Sequence, residues 1–102
     1  MFGRYSRHYK KDDVDVTLIS RINNDPFDDD LIEEILMDSS EQVALAAIAR
    51  ADCPSELLVD LSQNKSSLVR IAVARHVSVP PVTRDRLSRD RDPAVAAAAR
   101  GN

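Results

Sequence analysis

The sequence repeats itself at an interval of 26 residues, and this repetition limits the possible folds more than any other feature. When the chain is shifted by 26 positions, Val43, Val69 and Val95 coincide, and Pro54 coincides with Pro80. A fixed period of roughly 20 to 50 residues is the signature of a protein built from stacked repeats. The other apolar sets that coincide are Ile35, Leu61 and Leu87; Leu45, Ile71 and Ala97; Ala46, Ala72 and Ala98; and Ala47, Val73 and Ala99.

Each repeat predicts two short helices. Ser40, Ser66 and Asp92 stand at equivalent positions and are good N-cap residues, because their side chains can accept hydrogen bonds from the first free amides of a helix. Pro93 suits the first position of a helix, and Gly101 suits the residue that follows one. The predicted helices are 29–37, 41–50, 55–63, 67–76, 81–89 and 93–100.

Residues 12–24 predict one further helix, which would cover the first repeat. Its apolar stripe has the spacing of one helix face. The stripe consists of Val14, Leu18, Ile19 and Ile22, with Asp12 and Asp13 near its start. Val14, Val16 and Leu18 also alternate as they would in a strand, so a strand is the alternative. We favour the helix.

Together these segments predict an all-α fold, a short α-solenoid of helix pairs. One pair of this size cannot bury its own apolar face, whereas stacked pairs bury it between them. The predicted domain spans residues 12–102, with a cap helix at 12–24 and repeats at about 28–53, 54–79 and 80–102. Residues 1–11 form an N-terminal arm that is basic and aromatic.

The second half of the chain resembles a known repeat family. The residues that carry the resemblance are Val69-Arg70, Ala72-Val73-Ala74, Pro80, Leu87, Asp90 and Asp92-Pro93-Ala94-Val95. They resemble the leucine-rich repeat variant, a right-handed helical solenoid, and more distantly HEAT repeats. The resemblance covers about residues 28–102 and implies a binding scaffold without indicating the ligand. The period here is slightly longer than that family's, so a HEAT-like geometry remains open.

Cysteine content and hydropathy limit the cofactors and the location that we expect. Some members of the leucine-rich repeat variant family hold an iron–sulfur cluster on N-terminal cysteines, but the single cysteine here is Cys53. One cysteine allows no internal disulfide and no zinc cluster. The longest apolar run, within 43–49, is far shorter than the about 20 residues that span a bilayer. We expect a cytoplasmic protein with no cofactor and no membrane partner.

The residues most often used in catalysis have structural interpretations here. Cys53 shares its repeat position with Phe27 and Val79, which predicts a buried apolar site rather than a nucleophile. His76 shares its position with Arg50 and is predicted to be a polar residue at the end of a helix. The other histidine, His8, belongs to the arm.

The acidic segment Asp28-Asp29-Asp30 could suggest a cation site. It lacks the alternating acids and the glycine of a calcium loop. It also precedes a predicted helix, where negative charge is favourable, so we interpret it as a helix cap with a solvated acidic face. The sequence contains no glycine-rich phosphate loop and no serine nucleophile elbow, and we therefore do not predict an enzyme.

Charge is strongly segregated along the chain. Residues 1–11 carry a net charge of +4, residues 12–64 of −12 and residues 65–102 of +5. This segregation has two interpretations. The charges lie on ordinary solvated faces, or they form an electrostatic docking surface, since separated charges create opposed fields.

The last repeat supplies the first candidates for partner contact, Arg84, Arg86, Arg89 and Arg91, because arginines pair well with carboxylates and phosphates. Its first helix is unusually polar. Only Val82 and Leu87 remain clearly apolar there, whereas earlier repeats have pairs of aliphatic residues in place of Thr83 and Arg84. The alanine-rich segment 94–99 adds a face of small side chains that the arginines would surround.

The arm supplies the second group of candidates. Arg4, Tyr5, Arg7 and Tyr9 combine bases with aromatic rings, a composition that can neutralise phosphates and stack on nucleic-acid bases. The same composition fits a disordered tail, or a segment that docks on the acidic residues of its own or another molecule.

These features predict a non-catalytic protein–protein interaction module, a small helical-repeat adaptor or inhibitor that uses charged surfaces. The alternative is a nucleic-acid-binding HEAT-like protein that contacts phosphates through the arm and the C-terminal arginines. An overall pI of about 5.3 favours the first prediction, because nucleic-acid-binding domains are usually basic. The expected partner is another protein, and the opposed charges also permit self-association.

The fold prediction is tested by circular dichroism. We expect a strongly helical far-ultraviolet spectrum that does not change when a metal chelator is added. A spectrum dominated by β structure would exclude the helical repeats.

Overall fold

The computed structural model describes residues 15–38 and 40–101, which form seven helices and no strand. The predicted all-α fold class is thus confirmed for this part of the chain. No helix within it combines the length and the apolar composition that crossing a bilayer requires. The helices are α1 Val16–Asn24, α2 Asp29–Met37, α3 Glu41–Ile48, α4 Ser55–Leu61, α5 Ser67–Arg75, α6 Pro81–Leu87 and α7 Pro93–Ala99.

The helices that follow α1 begin at regular intervals. Helices α2, α4 and α6 begin at residues 29, 55 and 81, and helices α3, α5 and α7 begin at residues 41, 67 and 93. We call α2–α3, α4–α5 and α6–α7 the first, second and third helix pairs. The starting residues within each series are 26 positions apart, which is the interval of the sequence repeat.

The predicted N-cap residues start the second helix of each pair. The Ser40 hydroxyl accepts a hydrogen bond from the Val43 amide at 3.2 Å, and the Ser66 hydroxyl accepts one from the Val69 amide at 3.3 Å. The Asp92 carboxylate accepts a bond from the Ala94 amide at 2.8 Å. Each cap satisfies an amide that has no partner within its helix.

A second polar position fixes the turn before each cap. Asp38, Asn64 and Asp90 accept a hydrogen bond from the amide two residues further on, at 2.7, 2.9 and 2.9 Å. A short side chain that bonds the backbone two residues ahead forms an Asx turn, which replaces a backbone turn. The turn explains why a short polar residue recurs at this position of the sequence.

Five of the predicted helices extend further than the helices of the structure. The predicted ends at 50, 63, 76, 89 and 100 compare with observed ends at Ile48, Leu61, Arg75, Leu87 and Ala99. The Ser62 hydroxyl donates a hydrogen bond to the Val59 carbonyl at 2.6 Å, and the Gln63 amide bonds to the Asp60 carbonyl at 3.2 Å. These bonds span three residues rather than four, so the last turn tightens and the α-helix stops.

Helix α1 begins later than the sequence predicted. It starts at Val16 rather than residue 12, because the Asp15 carboxylate caps it by accepting a bond from the Leu18 amide at 2.9 Å. The strand alternative is wrong from Val16 onward. Leu18 and Ile22 of the predicted stripe are buried, and Ile19 packs partly against them. Asp12, Asp13 and Val14 lie outside the described residues.

The second helices of the pairs lie side by side. Helix α3 contacts α1 and α5, and α5 contacts α7, while α2, α4 and α6 each pack on the second helix of their own pair. Val43, Val69 and Val95, which coincide in the repeat, are each fully buried. The three equivalent helices therefore turn the same position toward one continuous core.

In the third pair a polar residue occupies a core position that is apolar in the first two pairs. Leu31 and Leu57 are buried at equivalent positions of α2 and α4, and Thr83 takes that place in α6 with an exposed fraction of 2 %. Val82, one of the two clearly apolar residues that remain in this helix, is 76 % exposed. Leu87, the other one, is buried.

Cys53 is buried as predicted, with an exposed fraction of 2 %. Burial raises the pKa of its thiol to about 11; the nearby Asp52 carboxylate raises it further, and Arg50 opposes this rise. Only the thiolate is a good nucleophile, so the thiol is unreactive at neutral pH in the folded protein.

We therefore expect a thiol reagent to label Cys53 slowly in the native protein and rapidly in denaturant, as mass spectrometry would measure. Cys53→Ala should lower the free energy of unfolding by about 1 kcal/mol, since it leaves a small cavity. Rapid labelling of the native protein would contradict this assignment and restore a reactive role for the thiol.

Candidate anion-binding cleft

The four arginines predicted as one basic patch are all exposed, but they do not share one surface. Arg86 and Arg91 line a polar cleft, whereas Arg84 lines a separate groove beside Pro81 and Ala99. Arg89 forms an exposed ion pair with Asp85 of its own helix turn, at 3.1 Å. The structure thus divides the predicted patch into two cleft arginines and two others.

The cleft lies between two loops at the same end of successive helix pairs. One loop follows α4 and precedes α5, and the other follows α6 and precedes α7. The cavity has a volume of about 410 Å³. A second cavity continues from it and shares Lys65, Arg70 and Arg91 as lining residues. We call the two together the basic cleft.

Lys65 is a member of the basic cleft that the sequence analysis missed. It stands alone among polar residues in the chain, so no cluster of bases marked it. A signal was nevertheless present, because Lys65 lies 26 residues before Arg91 and therefore occupies the same position of the repeat.

Arg70 forms the floor of the basic cleft. Its side chain is only 9 % exposed, and its guanidinium binds both carboxylate oxygens of Asp90, at 3.0 and 3.2 Å. Its remaining terminal nitrogen donates to the carbonyls of Asn64 and Lys65, at 2.8 and 3.1 Å. Arg70 therefore ties the first loop to the second, and it uses most of its donors within the protein.

This arginine breaks the repeat. The equivalent positions of the other second helices hold Ala44 and Ala96, so an arginine is not required there for helix packing. Its partner Asp90 differs from Asn64 one repeat earlier but matches Asp38 of the first repeat, so the arginine is the unusual member of the pair. The ion pair is a feature of the junction between the second and third helix pairs.

The ion pair holds Asp90 in its charged form. Burial alone would raise the pKa of Asp90, but the hydrogen bonds from the Arg70 side chain and the Asp92 amide, with the charges of Arg70 and Arg91, outweigh it. The pKa of Asp90 is consequently lowered below its usual value.

The cations at the rim of the basic cleft have no such partner. No carboxylate of the described residues lies within salt-bridge distance of Lys65, Arg86 or Arg91. The two acids of the cleft are both engaged, Asp90 with Arg70 and Asp92 as the cap of α7. Four bases and two acids therefore leave the basic cleft with a net charge of +2.

The acidic half of the chain, residues 12–64, shows the converse arrangement in its described part. Its two arginines are both paired, Arg21 with Glu34 at 2.7 Å and Arg50 with Asp52 at 2.7 Å. Exposed acids remain on this half, among them Asp29, Asp30 and Glu33. The positive charges of this half are thus neutralised within the molecule, and most of its negative charges face solvent.

The acidic segment Asp28-Asp29-Asp30 lies at the start of α2, as the sequence predicted, and Asp28 caps the helix. The Asp28 carboxylate accepts a hydrogen bond from the Leu31 amide at 2.8 Å, and Asp29 and Asp30 lie in the first turn. No group of three or more histidine, cysteine or acidic side chains in the described segments has a geometry that could hold a metal ion.

His76 is the polar residue at the end of α5, as predicted. One ring nitrogen, Nδ1, accepts a hydrogen bond from the Ser78 amide at 2.9 Å, which leaves the proton on Nε2. Nε2 then donates to the Arg50 carbonyl at 2.8 Å. Arg50 makes the corresponding contact to the preceding helix, since its guanidinium donates to the Ile22 carbonyl at 2.7 Å. His76 thereby connects the end of α5 to the end of α3, and Arg50 connects the end of α3 to α1.

Two sequence predictions concern partner contact. Packing of α7 on α5 and α6 buries Ala96, Ala98 and Ala99, which are no more than 7 % exposed. Ala94 is exposed and Ala97 is half-buried, so contact of a partner with the alanine face stays a prediction for these two residues. The arm residues Arg4, Tyr5, Arg7 and Tyr9, together with His8, lie outside the described residues and stay predictions.

No family model matches this chain, and no curated protein or solved structure is significantly similar to it.

The Arg70–Asp90 pair yields a stability prediction. Asp90→Asn keeps the oxygen that accepts the turn hydrogen bond, as Asn64 does one repeat earlier, but it leaves the Arg70 charge buried without its partner. We expect this variant to lose about 3 kcal/mol of unfolding free energy, measured by urea denaturation. Arg70→Ala together with Asp90→Asn should lose much less, because alanine already occupies the equivalent position in α3 and α7.

The same variants differ in their response to acid. Because the pKa of Asp90 is lower in the folded chain, the pair stabilises the fold above a pH of about 4, the usual pKa of an unfolded aspartate. This contribution disappears as the pH falls through the folded-state pKa. The double variant should lose that part of the acid dependence. Additive losses from Arg70→Ala and Asp90→Asn would show that the two side chains are not coupled.

Proposed function

We propose that this protein is a non-catalytic interaction module, a short α-solenoid that binds an acidic segment of another protein in its basic cleft. The observation that carries the proposal is the cleft itself, in which three exposed cations line one cavity without a carboxylate partner among the described residues. Unpaired charges of one sign in a cleft concentrate the field there and attract ligands of opposite charge.

The solenoid part of the proposal is supported by the helix geometry. Equivalent helices begin 26 residues apart, each second helix contacts the next, and the same Asx turn and cap precede all three. The extents of 51 × 27 × 17 Å are those of an elongated stack. We accordingly relate the chain to the leucine-rich repeat variant and HEAT-like repeats, in which the binding surface is built by stacked helix pairs.

A protein partner is favoured over the alternative, a nucleic acid. Binding single-stranded nucleic acid usually combines a continuous basic track with exposed aromatic rings. Phe27, the one Phe, Tyr or Trp among the described residues, has the Arg50 guanidinium 4.4 Å from its ring centre and does not line the basic cleft. The acidic half would also repel a phosphate backbone that extended beyond the cleft.

The experiment compares two matched pairs of substitutions from the predicted arginine patch. Arg86→Glu with Arg91→Glu reverses the cleft charge, and Arg84→Glu with Arg89→Glu makes the same change in net charge outside the cleft. We expect the first pair to reduce capture of partner proteins from a source lysate about tenfold, a loss of about 1.4 kcal/mol, and the second pair to have little effect. Nuclease treatment should leave capture by the wild-type chain unchanged.

Salt gives an independent measure of the same interaction. Exposed charges are screened within roughly 10 Å at 0.1 M ionic strength, so capture by the wild-type chain should weaken as salt rises. If both pairs of substitutions reduced capture equally, the cleft would not be the binding surface. If nuclease removed the captured material, the nucleic-acid alternative would replace the proposal.

A further inference from the structure

We propose that the ligand of the basic cleft is a phosphorylated side chain, such as phosphoserine or phosphothreonine, in an extended segment of the partner. This inference rests on the proposed function and specifies the chemical group that the cleft recognises. Three properties of the cleft support it: its net charge, the position of its cations and the engagement of its acids.

The net charge of the cleft matches a dianion. With Arg70 neutralised by Asp90, the remaining lining charges are Lys65, Arg86 and Arg91 against Asp92, which gives +2. A phosphorylated hydroxyl carries a charge of about −1.5 to −2 at neutral pH, whereas one carboxylate carries −1. A single carboxylate would leave the cleft with an excess positive charge.

The position of the cations favours a compact group over a run of acidic residues. Arg84 and Arg75 line other grooves, and Arg89 pairs with Asp85. The described part of the basic half, residues 65–102, therefore offers no continuous track of cations along its surface. Side chains of an extended segment point alternately to opposite sides at about 3.3 Å per residue, so few of its carboxylates could enter one cleft. One phosphoryl group places its charge and three acceptor oxygens at a single point.

The floor of the cleft is fixed before any ligand arrives. Arg70 joins the loop that carries Lys65 to the loop that carries Arg91, through its bonds to the Lys65 carbonyl and to Asp90. Holding two ligand-binding loops in place reduces the ordering that binding would otherwise require. Arg70 is thus a positioning residue, and the rim cations contact the ligand.

The test uses three synthetic peptides and the full 102-residue chain. The peptides share neutral flanking residues and differ at one central position, which is phosphoserine, serine or glutamate. By isothermal titration calorimetry or fluorescence anisotropy at 0.15 M salt, we expect the phosphoserine peptide to bind at least about tenfold more tightly than the glutamate peptide. The serine peptide should not bind measurably.

Variants locate the binding. Arg86→Gln with Arg91→Gln removes two rim charges without introducing acids, and should weaken phosphopeptide binding about tenfold or more. Arg84→Gln with Arg89→Gln is the matched control and should bind like the wild-type chain. All four positions are exposed, so we expect each variant to keep its helical content, which circular dichroism would check.

The outcomes separate this inference from the proposed function. Equal affinity for the glutamate and phosphoserine peptides would overturn the phosphate inference and leave an acid-binding cleft. Equal loss in both pairs of variants, or no binding of any acidic peptide, would overturn both. Tighter binding of a single-stranded oligonucleotide than of the phosphopeptide, lost in the Arg86 and Arg91 variant, would overturn both in favour of nucleic acid.

Discussion

The structure depends on the burial of one face of helix α5 between its neighbours. This helix has nine residues and would be marginal in water by itself, because short helices gain too few hydrogen bonds to offset the cost of nucleation. It persists because α3 lies on one side and α7 on the other, and Val69 and Val73 are fully buried between them. Helix α3 is likewise packed between α1 and α5, whereas α7 packs on α5 and α6.

Within that packing, three repeat positions distinguish the junction that holds the candidate site from the junction before it. At the junction between the first and second helix pairs, the equivalents of Arg70, Arg86 and Asp90 are Ala44, Asp60 and Asn64, which cannot form a basic cleft. At the next junction, Arg70 requires a carboxylate because a buried cation without a partner is costly. Asp90 meets that requirement and leaves Lys65, Arg86 and Arg91 as the uncompensated charges.

Ion pairs neutralise charges of the less common sign in each half of the described chain. In the acidic half both described arginines form ion pairs, and in the basic half Asp90 pairs with Arg70 and Asp85 pairs with Arg89. The exposed pairs, which do not include Arg70–Asp90, contribute little to stability, so their larger effect is on the net charge that remains. Each half presents its majority charge to solvent, and opposite charge on a ligand would complement it.

The sequence by itself determined the helices and their caps, because these depend on residues close together in the chain. The positions of Ser40, Ser66 and Asp92 located three helix starts, and the repeat position of Cys53 indicated its burial. Helix ends were less well determined, since the Ser62 hydroxyl competes locally with the α-helical pattern and the periodicity of apolar residues does not report this.

Only the tertiary structure decided which charges meet. Arginines that are neighbours in sequence, such as Arg84 and Arg86, point to different grooves because side chains two positions apart on a helix do not share a face. Lys65 and Arg91 are distant in sequence, but stacking of successive helix pairs places both in one cleft. The sequence fixes which residues are cations, whereas the packing of loops from different pairs decides which of them form a site.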